Sequence, residues 1–448
     1  MPVAATRPAA VACSFYPARP EALARELDGY LDAVPAAQEA QPPKLLVVPH
    51  AGYRYSGPVA AHAYALLRPW REQIRRVVLL GPAHRVALRG LGLPEAQRSF
   101  ATPLGEVLLD QAASAQLSAL PQVSRDAAAH AFEHSLEVQL PFLQRLLGDF
   151  SLVPLVVGEA SAAEVAEALE LLWGGDETLI VISSDLSHYL PYAQAQALDR
   201  DTVRQLLALE QAPTHAQACG ATPLAGAMLA ARAHGLAGRL LDLRNSGDTA
   251  GDKSRVVGYA ALAYAAPGDL GQTLLARARN AIAGELGLPL RAEPWHPRLE
   301  RPGACFVTLH AHGSLRGCIG NLEADEALKQ ALPARARAAA FEDPRFAPLT
   351  ASEWPHLDIE ISLLSPAEPM PARSLEQACA QLRPGVDGLV LSWRGRRATF
   401  LPQVWAQLPL PLDFLRALRQ KAGLAADFWA EDLQLARYQV QRFSEVQQ

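Results

Sequence analysis

The sequence predicts an α/β domain followed by a smaller α+β domain. Three observations predict it. Short apolar runs alternate with helical stretches in the first part of the chain. A Pro/Gly break follows at 265–271. Beyond it, strand hairpins are interleaved with separate helices. A chain of 448 residues is also too long for one ordinary hydrophobic core.

The elements follow in order. LLVV (Leu45–Val48), RVVLLG (76–81), SLVPLVVG (151–158) and TLIVISS (178–184) are short, β-branched or Leu-rich, and each runs into loop chemistry. Strands buried on both faces look like this. The helical stretches between and around them are 19–34, 58–67, 127–147, 161–173 and 193–209, and 255–265 makes a final strand. The break AAPGDLG then divides the chain into domains of 1–266 and 270–448. After a helix at QTLLARARNAIAGEL, ACFVTLHAHGSLRGCIG makes two strands around a Gly turn. LDIEISLLS makes another, and GLVLSWRGRRATFLP a hairpin turning near Arg394 and Gly395.

Composition narrows the function classes. Half the residues are hydrophobic and 19% are charged, as in globular proteins. A net charge of -5 provides no global positive field for nucleic acid, so no nucleic-acid partner is expected. The five cysteines are odd in number and scattered, without a CxxC pair, which points to a reducing, cytoplasmic setting. The start, MPVAATRPAAVACSFYPARP, is broken by prolines and does not read as a secretory signal. No apolar run is long enough to cross a bilayer, so no membrane partner is expected.

Polar chemistry collects where strands end. His50 follows the first strand in VVPHAGYRYSG, and His84 follows the second in LLGPAHRV. Asp185 and His188 follow the fourth in ISSDLSHY. Ligands of open α/β sheets bind beyond the carboxyl ends of the strands. One such histidine is unremarkable, but three on one edge make a candidate metal cleft, because imidazole is the commonest metal ligand. In DAAAHAFEHSLEVQLPFLQ a single helix would set His130 and His134 one turn apart. HAFEH also fits H-x-x-E-H, the inverted zinc-peptidase pattern, and so suggests a zinc hydrolase as a minor alternative. Otherwise this is a helix with a satisfied polar face, or His134 or Glu137 turns into the cleft to support the ligands. In LRNSGDTAGDKSRVVGYAA, Asp248 and Asp252 sit in a Gly-rich loop before the last strand. They are either turn aspartates or a carboxylate arm over the histidines. Two imidazoles and a carboxylate would form the facial set typical of non-haem Fe(II), leaving His188 free for acid/base work.

The strings FYP (15–17), PHAGYRYSG, GPAHRV, TPLGEV (102–107), EHSLEVQLPFLQ, SSDLSHY and NSGDTAGDKSRVVGYAA, in this order, resemble the Memo family over 7–265. That family is similar in fold to class III extradiol dioxygenases. The resemblance implies that His50 and His84 are metal ligands. It implies that Asp185 and His188 line the cleft, with His188 in the place of the general base. Some members carry a cysteine ligand just before the final strand, where this chain has Asp248, Thr249 and Asp252. Asp248 is therefore the first choice for third ligand, then Asp252, then Asp185. A carboxylate there favours iron over copper or zinc as the divalent ion. The expected catalytic group is His188, Asp185 and His134.

The second part, 270–446, resembles the AMMECR family through GSLRGCIG (313–320), EDPRF, IEISLLSP, PGVDGLVL, ATFLPQVW and FLRALRQKAGL. These two families occur with a radical-SAM protein in the set called AmmeMemoRadiSam, so the resemblance implies a radical-SAM partner. Cys318 is either a nucleophile activated by Arg316 or a small buried residue in a tight strand; the second is favoured. The leading expectation is a metal-dependent oxidoreductase of dioxygenase type acting on a small molecule. The alternative is a non-catalytic metal-binding or scaffold protein.

Overall fold

The computed structural model describes residues 6–35 and 41–445. Residues 1–5 of the proline-broken start and 446–448 of the second domain lie outside them. The chain forms two compact units, Met1–Pro267 and Gly268–Gln448.

Among the described residues, the first unit is built on a nine-stranded mixed sheet. Its centre is parallel, in the spatial order Leu45–Val48, Thr178–Ser183, Arg76–Pro82, Ser151–Val157. Val256–Ala265 adds antiparallel beside Leu45–Val48, and Ala237–Asn245 pairs with it in turn. The central side chains alternate between two cores. Leu46, Val48, Val77, Leu79 and Val181 join one, with helices Pro20–Asp32, Tyr53–Tyr64 and Leu140–Leu146. Leu45, Val47, Val78, Leu80, Ile180 and Ile182 join the other, with Ala162–Leu171, Tyr192–Ala208 and Ala221–Ala233. Each such side chain contributes about 1.5–3 kcal/mol by leaving water, whereas an unpaired polar group there costs about as much. The strand interiors are therefore apolar, and polar chemistry is confined to strand ends.

The helical stretches depart from expectation in two places. Tyr53–Tyr64 starts well before Pro58, which lies inside it. The single helix expected over 127–147 is three short ones: Ala127–Ala131, His134–Glu137 and Leu140–Leu146. The first break has a local cause. Glu133 is extended (φ -76°, ψ 128°), and its carboxylate caps the next helix by accepting from the His134 and Ser135 amides.

Among the described residues, the second unit has two four-stranded antiparallel sheets. Ser314–Gly320, Cys305–Ala311, Leu357–Leu364 and Val440–Ser444 make the first. Helices Leu270–Glu285 and Leu328–Phe341 pack on it. Glu368–Pro369, Gln434–Tyr438, Gly388–Trp393 and Arg396–Phe400 make the second. The hairpin turns at Arg394 (φ 44°) and Gly395 (φ 80°). The GSLRGCIG segment is an edge strand in which Gly317 is buried and Cys318 half-buried. A Cβ on Gly317 would lie 2.1 Å from the Ala339 carbonyl of the covering helix, so only glycine allows that approach. Arg316 donates to Glu353 and to the Ala347 carbonyl, so its guanidinium is tied to that loop. The Cys318 amide is bound by Asp343, which Arg345 also grips.

Candidate metal centre

His50, His84 and Asp185 each lie two residues beyond the end of a central strand. The strands bearing His50 and His84 are not neighbours. Thr178–Ser183 runs between them, which sets them about 9–10 Å apart. Their imidazole centroids are nevertheless only 5.1 Å apart, because both rings lean over the end of the intervening strand. His134 completes the cluster, with centroids 4.6 Å from His84 and 5.5 Å from His50.

Hydrogen bonds decide which nitrogens are available. The Ser183 hydroxyl donates to the Ser135 carbonyl (2.6 Å), so it meets its other neighbours as an acceptor. Gln139 Nε2 donates to it at 2.8 Å, and His50 Nδ1 lies at 2.8 Å. The His50 proton therefore sits on Nδ1, and Nε2 presents its lone pair. Burial, reinforced by His84 and His134, pushes the His50 pKa well below the usual range and keeps the ring neutral. His84 is set the same way. Its Nδ1 donates to Glu133 Oε1 (3.0 Å) and its amide to Oε2 (2.6 Å), which leaves Nε2 free. Burial alone would raise the Glu133 pKa. The His134 and His84 side chains and the Ser135 amide outweigh it and hold the carboxyl well below the usual range. Glu133 is thus a carboxylate whose oxygens are spent on orienting its neighbours, the arrangement that fixes metal-binding imidazoles. His134 Nδ1 lies 3.3 Å from Glu133 Oε1 but is buried without a hydrogen-bond partner.

The third donor that comes into range is Cys219. Its Sγ lies 3.3 Å from His50 Nε2, and ligand atoms of His50, His84 and Cys219 all fall within 4.8 Å of one another. On a tetrahedral ion, a thiolate at ~2.3 Å and an imidazole nitrogen at ~2.0–2.1 Å stand about 3.5 Å apart. Without an ion the contact is an S–H···N hydrogen bond, and burial pushes the thiol pKa up to about 12. A second group of donors, His84, Glu133 and His134, shares His84 with the first.

Sequence reasoning missed Cys219 because it left the stretch after 209 without a helix. Cys219 and Gly220 stand directly before the helix Ala221–Ala233. A Cβ on Gly220 would lie 2.6 Å from Ser184 Cβ, so glycine lets this turn press on the strand end and deliver the thiol. The Cys-Gly pair before a Pro-containing helix start was the available signal.

Asp248 does not reach the cluster. Its carboxylate accepts from the Asn245 amide (3.0 Å) and from the Tyr192 hydroxyl (2.5 Å), closing a capping box. That is the turn-aspartate alternative. Asp252 lines the cleft, but its Oδ1 is engaged by the amide and hydroxyl of Ser254. Asp185 lines it as well and accepts the His50 amide (2.7 Å). Burial raises its pKa, against the pull of that amide and of His188. His188 Nδ1 donates to the Leu186 carbonyl (2.8 Å), so the ring's other nitrogen is open to the cleft.

The zinc-peptidase pattern does not form. The break at Phe132 and Glu133 takes His130 off the helix of His134, and His130 Nε2 bonds the Gly92 carbonyl (2.9 Å) in the core. Glu137 also turns away from the cleft. Fully buried, it accepts from Arg7, the Tyr16 hydroxyl and the amides of Ala10 and Val11.

The cleft over these residues encloses about 720 Å³. A cavity of about 910 Å³ on the second unit, beside Met370 and Val390, has no histidine or cysteine in its lining. Among the described residues, no helix is long and apolar enough to cross a membrane.

Comparison with known proteins agrees with this division. The model of a family described as Memo-like protein matches residues 7–263, and that of AMMECR1 matches 275–443. A MEMO1 family protein of Archaeoglobus fulgidus is 39% identical over 272 residues, spanning 57% of this chain and 97% of the relative. MEMO1 family protein MK0963 of Methanopyrus kandleri is 38% identical over 290 residues, 58% of this chain and 98% of its own. Among solved structures, the uncharacterized protein PH0010 of Pyrococcus horikoshii is 31% identical, with a TM-score of 0.35. That match covers 39% of this chain and 91% of the other. With its first unit matched almost from end to end, the chain belongs to the Memo family, and it carries an AMMECR1 domain behind the Memo domain.

Proposed function

We propose that the first unit is a metal-dependent oxidoreductase of the non-haem dioxygenase type acting on a small molecule. The observation that carries it is the convergence of His50, His84 and Cys219, with both imidazoles oriented through Nδ1 so that Nε2 is available. Cys219 takes the third place for which Asp248 was the first choice. Sulfur makes the donor set softer than a carboxylate would, so copper and zinc stand beside iron as candidate ions. A divalent ion bound there would supply Lewis acidity and, for iron or copper, a one-electron couple.

The chain's own residues do the rest. Glu133 holds His84, and Ser183 holds His50. Asp185 anchors the His50 amide at the strand end. His188 is placed to take or give a proton, because the Leu186 carbonyl fixes its Nδ1–H and leaves the other nitrogen to the cleft. The family association would make a radical-SAM protein the partner. The cysteines are all free thiols, which suits a reducing, cytoplasmic setting.

The test is metal content after anaerobic loading with iron, copper or zinc, followed by oxygen uptake. About one ion per chain is expected, lost in His50→Ala and in Cys219→Ala, and retained in Asp248→Ala. Cobalt loading should show sulfur-to-metal absorption that disappears in Cys219→Ala. Failure to bind any of the three ions would remove the metal reading. Stoichiometric metal without oxygen uptake would leave the alternative, a metal-binding scaffold.

A further inference from the structure

The mouth of the cleft carries features that metal binding alone does not require. Arg54 and Arg255 both line it and both are exposed. Among the described residues, neither guanidinium meets a carboxylate. Arg255 lies over the Tyr189 ring at 5.1 Å, and Arg54 over Tyr55 at 5.8 Å. Of the two cleft aspartates, Asp252 is engaged by Ser254, and Asp185 is buried against the His50 amide. At the mouth two exposed guanidinium groups thus stand against one exposed carboxylate, on a chain whose net charge is -5. Guanidinium groups without a carboxylate partner at a cleft mouth attract anions.

Tyr189 is the second, independent observation. It is 62% exposed, and its backbone is left-handed, with φ 59°. A bulky non-glycine residue in that region is strained, and such strain clusters at ligand sites. Here it holds an exposed aromatic ring, with Arg255 over it, at the mouth of the cleft directly after His188. Guanidinium stacked on a ring is also the preferred geometry for a planar fork that must pair with a carboxylate.

We propose that the cleft takes a flat organic monoanion, an aryl carboxylate, with its ring against Tyr189 and its carboxylate paired to Arg255 and Arg54. This rests on the cleft being the substrate site, but not on which ion it holds. A cavity of about 720 Å³ is ample for one such molecule.

Calorimetric titration of the full chain, metal-free and metal-loaded, tests it. The probes are benzoate, benzamide, cyclohexanecarboxylate and phenyl phosphate. Benzoate should bind at least tenfold more tightly than benzamide or cyclohexanecarboxylate in the metal-free chain. The double variant R54Q/R255Q should lose the preference over benzamide while keeping the metal content of the parent. Tyr189→Gly should raise the melting temperature, by relieving the φ strain, and yet weaken benzoate binding. A residue that served structure alone would not show that pair of changes. Equal affinity for benzoate and benzamide, an unchanged preference in the double variant, tighter binding of phenyl phosphate, or no binding of any probe up to its solubility would each overturn the proposal. If the chain takes up no metal but the metal-free selectivity holds, the metal reading fails and the anion site stands.

Discussion

Two glutamates four residues apart have opposite tasks, and burial alone would not separate them. Glu133 spends its oxygens on His84, His134 and Ser135, whereas Glu137 spends its own on Arg7, Tyr16 and the amides of Ala10 and Val11. Glu133→Gln should lower metal affinity by about 10- to 100-fold, since an amide cannot accept from all those donors and His84 loses its orientation. Metal titration by competition with a chelator measures this. Glu137→Ala should instead cost about 3–5 kcal/mol of stability, because it leaves the Arg7 guanidinium buried without its partner. Denaturant unfolding reads that loss, and the metal content of the folded fraction should not change.

At the scale of elements, glycines set how closely chain segments approach. Gly220→Ala would force a Cβ to 2.6 Å from Ser184 Cβ. The expected cost is about 1–3 kcal/mol, with Cys219 displaced and metal uptake reduced. Retention of both stability and metal would show that the turn can yield. In the second unit, the clamp from the GSLRGCIG strand to the following loop is Arg316 with Glu353. The hydrogen bond from Arg316 lowers the Glu353 pKa from 4.5 to about 2. A carboxyl depressed in the folded state adds stability above its unfolded value. That contribution fades as the pH falls from about 4.5 towards 2. Glu353→Gln should flatten this part of the acid stability profile, which thermal unfolding at a series of pH values would show. The effect is limited by solvent, because the Glu353 side chain is one-third exposed.

For the whole molecule, the two units carry separate hydrophobic clusters, and the chain between Ala265 and Leu270 has no regular structure. Ala266 and Pro267 are exposed. Brief proteolysis is expected to cut there first and to release fragments of about the sizes of the two units, each keeping its circular dichroism. Cleavage elsewhere first, or loss of structure on cutting, would show that neither unit stands alone. The chain's net charge of -5 sets no partner by itself, and the proposed anion site depends on two local groups, Arg54 and Arg255.

The four central strands of the first unit and Val256–Ala265 were legible in the sequence because burial leaves mainly apolar side chains between strand ends, whereas Ala237–Asn245, only half-buried, was not read as a strand. For the same reason His50, His84, Asp185 and His188 were legible as one group: the polar residues had nowhere else to stand. The sequence also carried the family, in motifs that run along the first unit in order. What only the tertiary structure decided were contacts between segments distant in the chain. Cys219 meets His50 across 169 positions, and no local pattern announces that pairing. Asp248 looked available because a loop carboxylate is anonymous until its partners are known, and here the Asn245 amide and Tyr192 hydroxyl claim it. The helix over 127–147 looked continuous because its apolar spacing is helical. Its break depends on Glu133, whose carboxylate is stabilised by donors that only the folded cleft assembles.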